Sequence, residues 1–277
     1  MIKYDLIKKN ICIFRRLFGI NPVEFEELLA ISSSLWEKEV VGNYKRPGRF
    51  PQLTLREMIL LLLLYYRHYI TQEFVGMLFN HHKANVCRII QKLEPVLLKV
   101  MKLPERDGLS EEEVHNLILD ATDNQIERPK RNQEKYYSGK KKRHTIKTEI
   151  RVTKRGRIIG VSETVPGTVH DFKLLENGEE IPQGVWALGD SGYEGIKNIN
   201  EKSKIPHKKP KGKELTKSQK EENAALSKVR VIVENIIGDI KTFRIMSYRY
   251  RNKRIRFNEK FRIIAGIVNV KNGFGFA

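Results

Sequence analysis

The chain has 277 residues, enough to bury a full hydrophobic core and to form two domains rather than one of ordinary size. Its 52 Lys and Arg outnumber 33 Asp and Glu, giving a formal net charge of +19, which favours a polyanionic partner, nucleic acid first. Cys12 and Cys87 lack the spacing of a metal site, and the apolar run 58–66 is too short to span a bilayer. We therefore expect a cytoplasmic protein with free thiols and no membrane partner.

Residues 1–103 are predicted to form an all-helical domain. Asn21 followed by Pro22 has the residue types of a helix N-cap and first position. Thr54 with Glu57 is typical of a capping box, which would begin a buried helix containing the run 58–66. The domain therefore begins with helices defined by their caps.

Within this domain, residues 71–94 have the pattern of a helix-turn-helix. Apolar residues predict an inward face on both helices, with Phe74, Val75 and Leu78 on the first. The outward arc of the second helix carries side chains suited to base edges and phosphates: Asn85, Arg88, Gln91 and Lys92. An ordinary helical hairpin with a polar outer face is the alternative.

From about residue 114 the pattern changes to short apolar runs and alternation. Residues 114–120 and 184–190 are buried-strand patterns that each end in Asp, and 144–153 with 156–165 alternate like a hairpin around a KRG turn. Helical patterns follow, including a C-terminal one over 258–272. These segments predict an α/β fold, with a mixed sheet flanked by helices over residues 114–271.

The two strand-end carboxylates, Asp120 and Asp190, predict a shared site if their strands are parallel neighbours, because ligand sites gather at the carboxyl ends of such strands. Each could instead be a turn or cap residue. Glu234, on a later amphipathic helix, would close the site. Carboxylates without Cys or His partners favour Mg²⁺ or Mn²⁺, and two such ions could carry out phosphoryl transfer.

On that helix, Arg230, Glu234 and Lys241 lie along one line beside the apolar face. A carboxylate in this position would be partly desolvated unless it meets a cation or a metal ion. The alternative is an i,i+4 salt bridge between Arg230 and Glu234, with Lys241 in solvent.

Five motifs in this order complete the pattern: LILDATDNQIERP, YYSGKKKRHTIK, VPGTVHDF, LGDSGYEG and RVIVENIIGDIK. Together they resemble the catalytic domain of DDE transposases of bacterial insertion sequences, in the group related to Harbinger elements. The resemblance covers roughly residues 114–271, and a preceding helix-turn-helix also fits the family. It implies a ribonuclease H-like fold and a metal-binding catalytic triad of Asp120, Asp190 and Glu234.

The resemblance also implies roles for the cations of the helix, because Arg230 and Lys241 match the family's R-x3-E-x6-K pattern and would position Glu234 or DNA phosphates. The first acid stays open between Asp120 and Asp123, which as residues three apart on a strand would point to opposite faces. Asp120 is our choice because it closes the apolar run. Asp171 is a lesser candidate that we expect to cap the helix after it.

Basic residues concentrate in two stretches, 128–147 and 241–262, with nine Lys or Arg against one acid in each. In the first, a run of five residues is predicted to grip the transposon end: Lys140, Lys141, Lys142, Arg143 and His144. A solvated loop is the alternative.

These features predict a DNA transposase that binds terminal inverted repeats and catalyses metal-dependent cleavage and strand transfer. Its partners would be the double-stranded DNA of transposon ends and target, and at least a homodimer would form on DNA. The alternative is a sequence-specific DNA-binding protein derived from a transposase, without catalysis. A nuclease without strand transfer would differ only in its products.

Overall fold

The structure is a computed structural model that describes residues 3–43, 52–104, 110, 113, 115–178, 180–182 and 184–276. The chain divides into two compact units, which we name the helical unit and the sheet unit. The helical unit is Met1–Lys102, Ile240–Tyr248 and Glu259–Ala277, and the sheet unit is Leu103–Asp239 and Arg249–Asn258. The predicted domains, 1–103 and 114–271, stay a prediction, and residue 114 lies outside the described part.

The described part of the helical unit begins with six helices. They are α1 (Tyr4–Ile7), α2 (Ile11–Phe18), α3 (Pro22–Trp36, extended by a π turn Glu37–Val41), α4 (Leu55–His68), α5 (Gln72–Phe79) and α6 (Lys83–Val100). Thr54 forms the predicted capping box with Glu57, and Asn21 is the predicted N-cap, where Glu24 completes a capping box that was not predicted. Every residue of α4 from Met58 to Tyr66 is buried, as the apolar run predicts.

A buried ion pair joins α6 to the C-terminal helix of the same unit. Lys260 Nζ lies 3.0 Å from Glu94 Oε1, and the Tyr66 hydroxyl donates to the same oxygen at 2.8 Å. Both charged side chains are almost inaccessible, with 6% and 1% exposure. The charge on each is therefore balanced where water cannot solvate it.

The sheet unit contains a mixed sheet whose strands are ordered β2-β3-β1-β6-β7, with β4 and β5 also paired to β3. The strands are β1 (Asn116–Gln125), β2 (Tyr137–Ser138), β3 (Arg143–Thr153), β4 (Ile158–Val161), β5 (Val165–Pro166), β6 (Trp186–Leu188) and β7 (Ser203–Lys204). β3 runs antiparallel to β1, β2, β4 and β5, whereas β6 is parallel to both β1 and β7. The predicted hairpin over 144–165 is thus confirmed.

Four further helices follow the first strands: α7 (Asp171–Glu176), α8 (Lys217–Lys241), α9 (Arg244–Ser247) and α10 (Phe257–Lys271). An apolar core of the sheet unit forms around β1, β6 and α7, from Leu117, Leu119, Leu175, Val185, Ala187, Tyr193 and Ile196. The fold is the predicted one, a helical region with a helix-turn-helix followed by a mixed sheet with flanking helices, consistent with a ribonuclease H-like domain.

Candidate active site

The parallel pairing of β1 and β6 brings two of the predicted acids to one edge of the paired region. The register ends with Ile118 opposite Leu188, and Asp120 and Asp190 each come two residues later. One expectation was wrong in detail, since β1 does not end at Asp120 but continues to Gln125 because it stays paired with β3. Asp120 therefore lies within a strand, just beyond the part that β6 covers.

Asp120 is partly buried and carries an electrostatic strain. Its Oδ1 accepts a hydrogen bond from the backbone nitrogen of Ala121 at 2.9 Å. Burial raises the pKa of Asp120 to about 6, against the opposing effects of this hydrogen bond and of Arg230, while Asp190 and Asp171 raise it further. A bound cation would relieve this cost of ionisation.

Asp190 and Asp171 approach each other around Gly192. Asp190 caps the 3₁₀ turn Ser191–Tyr193, and its Oδ1 accepts a hydrogen bond from the Gly192 nitrogen at 2.7 Å. A Cβ on residue 192 would lie 2.4 Å from Asp171 Oδ2 and 2.9 Å from Asp190 Oδ1. Any larger residue at this position would therefore require both carboxylates to move.

Asp171 differs from its expected role as a helix cap. His170 is the N-cap residue of α7, and Asp171 is the first residue of the helix itself. Its Oδ1 accepts a hydrogen bond from Lys147 Nζ at 2.8 Å, and the same ammonium donates to the carbonyl oxygen of Val169 at 2.7 Å. Lys147 thus neutralises one acid of the group and holds it in place.

Buried polar side chains lie beside this group. Arg151 Nε donates to Glu149 Oε1 at 3.2 Å, with Glu149 inaccessible to solvent. Burial, with the carboxylates of Glu149, Asp171 and Asp120 nearby, raises the pKa of Tyr193 well above its usual value, and burial also raises the pKa of Glu149. Tyr193 is therefore a neutral hydroxyl next to the acids.

On α8, the line of charged residues Arg230, Glu234 and Lys241 is more exposed at Glu234 than the sequence predicts. Glu234 is 56% exposed and lies 3.7 Å from Arg230 through its Oε1, the i,i+4 pair that was left open as an alternative. Arg230 is largely buried, and its Nε makes no hydrogen bond among the described residues. Lys241 is the last residue of the same helix and lies about 10 Å beyond Glu234 along its axis.

The donor atoms match a hard divalent cation in chemistry but are not grouped around one point. Asp120 and Asp190 supply carboxylate oxygens of the kind that Mg²⁺ and Mn²⁺ prefer. Within the described ranges, no three His, Cys, Asp or Glu side chains are arranged to hold one ion together. Asp120 and Asp190 therefore fit a metal site, whereas Glu234 would have to exchange its contact with Arg230.

The predicted DNA-gripping run forms the tip and start of a hairpin. Lys140, Lys141 and Lys142 lie in the exposed turn between β2 and β3, where Lys142 adopts a left-handed φ of 51°. The Arg143 guanidinium donates through Nη1 to Gln125 Oε1 at 3.2 Å. The ring of His144 packs edge to face on the ring of Tyr137, with centroids 5.5 Å apart. The cations thus project from an ordered hairpin.

The helix-turn-helix places its polar arc in solvent. All four side chains of this arc on α6 are exposed: Asn85, Arg88, Gln91 and Lys92. The Arg88 guanidinium donates through Nη1 to Asn85 Oδ1 at 3.0 Å. On the first helix, Val75 is buried as predicted, whereas Phe74 is 50% exposed and does not face inward.

Sequence reasoning missed Lys147, Glu149 and Arg151 as neighbours of the acids. They occupy alternate positions of β3, a pattern that usually indicates a solvent-facing side of a strand. The usable signal was their opposite charges in residues 145–153 of β3, where every other residue is apolar or Thr.

Two protein-family models match parts of this chain. Residues 119–269 match the family model described as "DDE superfamily endonuclease", and residues 51–103 match "Helix-turn-helix of DDE superfamily endonuclease". No solved structure gives a significant match. Among the described helices, none has the length and hydropathy to cross a bilayer.

Two named relatives align over most of their length. One is the "Probable transposase for insertion sequence element IS702" of Microchaete diplosiphon, 34% identical over 92% of this chain and 93% of that protein. The other is the "Putative transposase for insertion sequence element IS112" of Streptomyces albus G, 26% identical over 92% of this chain and 91% of that protein. The chain belongs to the DDE superfamily of endonucleases, in the group that includes these insertion-sequence transposases.

Proposed function

We propose that the protein is the transposase of an insertion sequence, and that it cleaves and transfers DNA strands at a site built from Asp120, Asp190 and Glu234. The observation that carries the proposal is the β1–β6 register, which sets Asp120 and Asp190 at equivalent positions of two parallel neighbours. The raised pKa of Asp120 supports it, because a partly buried acid beside other acids favours binding of a cation. The names of the two relatives point to the same activity.

Asp120 and Asp190 would hold the metal, Mg²⁺ or Mn²⁺ and two ions in the full site, and Glu234 would join them after leaving Arg230. When bound, such ions stabilise the charge that develops on the attacking and leaving oxygens in phosphoryl transfer. Arg230 would then either position the metal-bound Glu234 carboxylate through a new contact or bind a DNA phosphate, and Lys241 would add a second cation on the same side of α8.

Recognition of the terminal repeats would use the exposed arc of α6, where Asn85, Arg88, Gln91 and Lys92 can reach base edges and phosphates. The β2–β3 hairpin would contact phosphates through Lys140 to Arg143, with His144 beside them. Bringing two transposon ends together requires two such surfaces, so the active form would be at least a dimer.

The test is incubation of the purified protein with labelled DNA that flanks its gene, with Mg²⁺ or EDTA. Asp190→Asn is the informative variant, because the amide oxygen can still accept the hydrogen bond from Gly192 while the negative charge is lost. We expect it to bind DNA like the wild type but to lose cleavage and strand transfer. Asp5→Asn, which alters an exposed surface pair, is the matched control and should cleave normally.

Cleavage that survives in Asp190→Asn would refute the site. Asp123→Asn separates the two candidates for the first acid, since it should cut DNA if Asp120 is the ligand and fail if Asp123 is. Nicked ends without joined products would identify a nuclease that lacks strand transfer.

A DNA-binding protein without catalysis is the second candidate. The observation that favours it is the exposed Glu234, paired with Arg230 rather than grouped with Asp120 and Asp190. It predicts specific binding to the flanking repeats and no cleavage with any divalent ion.

A further inference from the structure

The second basic stretch of the sequence contains a short segment that belongs to the sheet unit and is held at the end of β1. Residues 249–256 carry five Lys or Arg and no acid. Tyr250 forms an isolated β-bridge with Ile126, and its backbone nitrogen donates to the Gln125 carbonyl at 2.8 Å. The segment therefore lies beside the end of β1, next to the β2–β3 hairpin that carries Lys140 to Arg143.

Aromatic packing holds both ends of this segment in the protein. Tyr250 and Phe257 are buried and meet edge to face, with ring centroids 4.9 Å apart. Asn258 Nδ2 donates to the Ser162 carbonyl at 2.8 Å. The residues between these anchors are thus presented in a defined position, which reduces the entropy lost on binding a partner.

Between the anchors, the 3₁₀ turn Arg254–Arg256 presents an apolar residue among cations. Ile255 is 87% exposed, more than any other large apolar side chain of the described residues. The Arg254 guanidinium stacks over the ring of Tyr136 at 4.2 Å, directly before the hairpin. The turn and the hairpin therefore form one surface, which we name the basic edge: residues 136–144 and 249–256.

We propose that the turn Arg254–Arg256 is a minor-groove element of the basic edge, in which Lys253 and Arg254 contact phosphates and Ile255 enters the groove. The inference rests on the proposed function, since it assumes that the protein binds duplex DNA. A narrow turn with one apolar tip between arginines fits the minor groove, where proteins insert Arg and single apolar wedges, whereas the wider major groove admits helices.

The first experiment measures affinity for duplex DNA of the gene-flanking sequence across a range of salt concentrations. Lys253→Gln should lower the steepness of log affinity against log salt by about 0.9, the effect of one lost phosphate contact. Ile255→Ser should weaken binding about tenfold with no change in steepness, because an apolar contact releases no counterions. Both side chains are exposed, so neither change leaves a cavity in the core.

Lys154→Gln is the matched control. Lys154 is exposed in the turn at the other end of β3, about 35 Å from Arg143 along the strand. It should match the wild type in affinity and steepness. If Lys253→Gln gives the same result as Lys154→Gln, or if Ile255→Ser binds as tightly as the wild type, the inference is overturned while the proposed function stands. Failure of the wild type to bind any duplex DNA would overturn both.

A second measurement locates the groove. Netropsin occupies the minor groove. On DNA preloaded with netropsin, the affinity of the wild type should fall to about that of Ile255→Ser, and the affinity of this variant should not change. Equal weakening of the wild type and the variant would overturn the assignment of Ile255 to the minor groove.

Discussion

The two units each bury charged side chains, and they treat them in opposite ways. In the helical unit, Glu94 meets Lys260 and the Tyr66 hydroxyl, so the buried carboxylate is fully compensated. In the sheet unit, Asp120 lies near Asp190 and Asp171, and its pKa is raised to about 6. The difference distinguishes a charge kept for structure from charges whose compensation must come from a bound partner.

The largest effect is expected where the compensation is complete. Lys260→Met should destabilise the protein by about 3–5 kcal/mol, because it leaves Glu94 charged in a site that excludes water. The double variant Lys260→Met with Glu94→Leu should recover most of this loss, since no buried charge is then left alone. Urea unfolding of both variants checks this.

Lys99→Met is the matched control, because the pair of Lys99 with Glu39 lies at the surface. It should cost less than about 1 kcal/mol. Equal losses in Lys260→Met and Lys99→Met would show that the buried pair has no special weight, and the comparison between the units would fail.

In the sheet unit, removing the charge of Asp120 should stabilise the protein instead of destabilising it. The pKa of Asp120 is about 6 in the folded protein against 3.8 as the ordinary value, so the folded state binds this proton more tightly than the unfolded chain. Relative to Asp120→Asn, the wild type should therefore lose stability as the pH rises from about 4 to 6. Above pH 6 the variant should be more stable by at most about 3 kcal/mol.

Unfolding of the two proteins in EDTA between pH 4 and 8 measures this gap directly. Addition of Mg²⁺ at pH 7 should stabilise the wild type more than Asp120→Asn, because binding to the folded state alone raises stability. A gap that stays constant with pH would show that Asp120 is not strained by its surroundings.

The smallest effect is expected at Asp171, whose carboxylate is already paired with Lys147. Lys147→Met should destabilise the protein by about 1–2 kcal/mol, since the ammonium binds both Asp171 and the Val169 carbonyl. In an Asp171→Asn background the loss should be smaller, because the charge that Lys147 balances is already absent. A double-mutant cycle from urea unfolding gives the coupling, and a coupling near zero would contradict the pair.

The sequence predicted those parts of the fold that are encoded locally. The N-cap at Asn21, the capping box at Thr54, the buried α4 and the hairpin of β3 and β4 follow from residue types and periodicity alone. The parallel register of β1 and β6 was expected only as a condition, because pairing of strands distant in sequence is not a local property.

Parts of the site could not be predicted for the same reason. Alternating charges on β3 usually indicate a face in water, and only the packing of the whole unit makes Glu149 inaccessible. Asp171 gave the sequence signal of a helix cap, and its contact with Lys147 depends on a strand 24 residues earlier. Glu234 was expected at the border of the buried face, but its side chain is 56% exposed and contacts Arg230, which the sequence offered only as the alternative.

The ion pair between Glu94 and Lys260 also sets an order of events during synthesis. The helical unit is assembled from both ends of the described chain, with the sheet unit's residues made in between. On the ribosome, α6 emerges more than 150 residues before the lysine that balances its buried acid. The helix-turn-helix therefore gains the contact between Glu94 and Lys260 only when translation has passed residue 260, and a chain that ends earlier would carry this element in a less stable form.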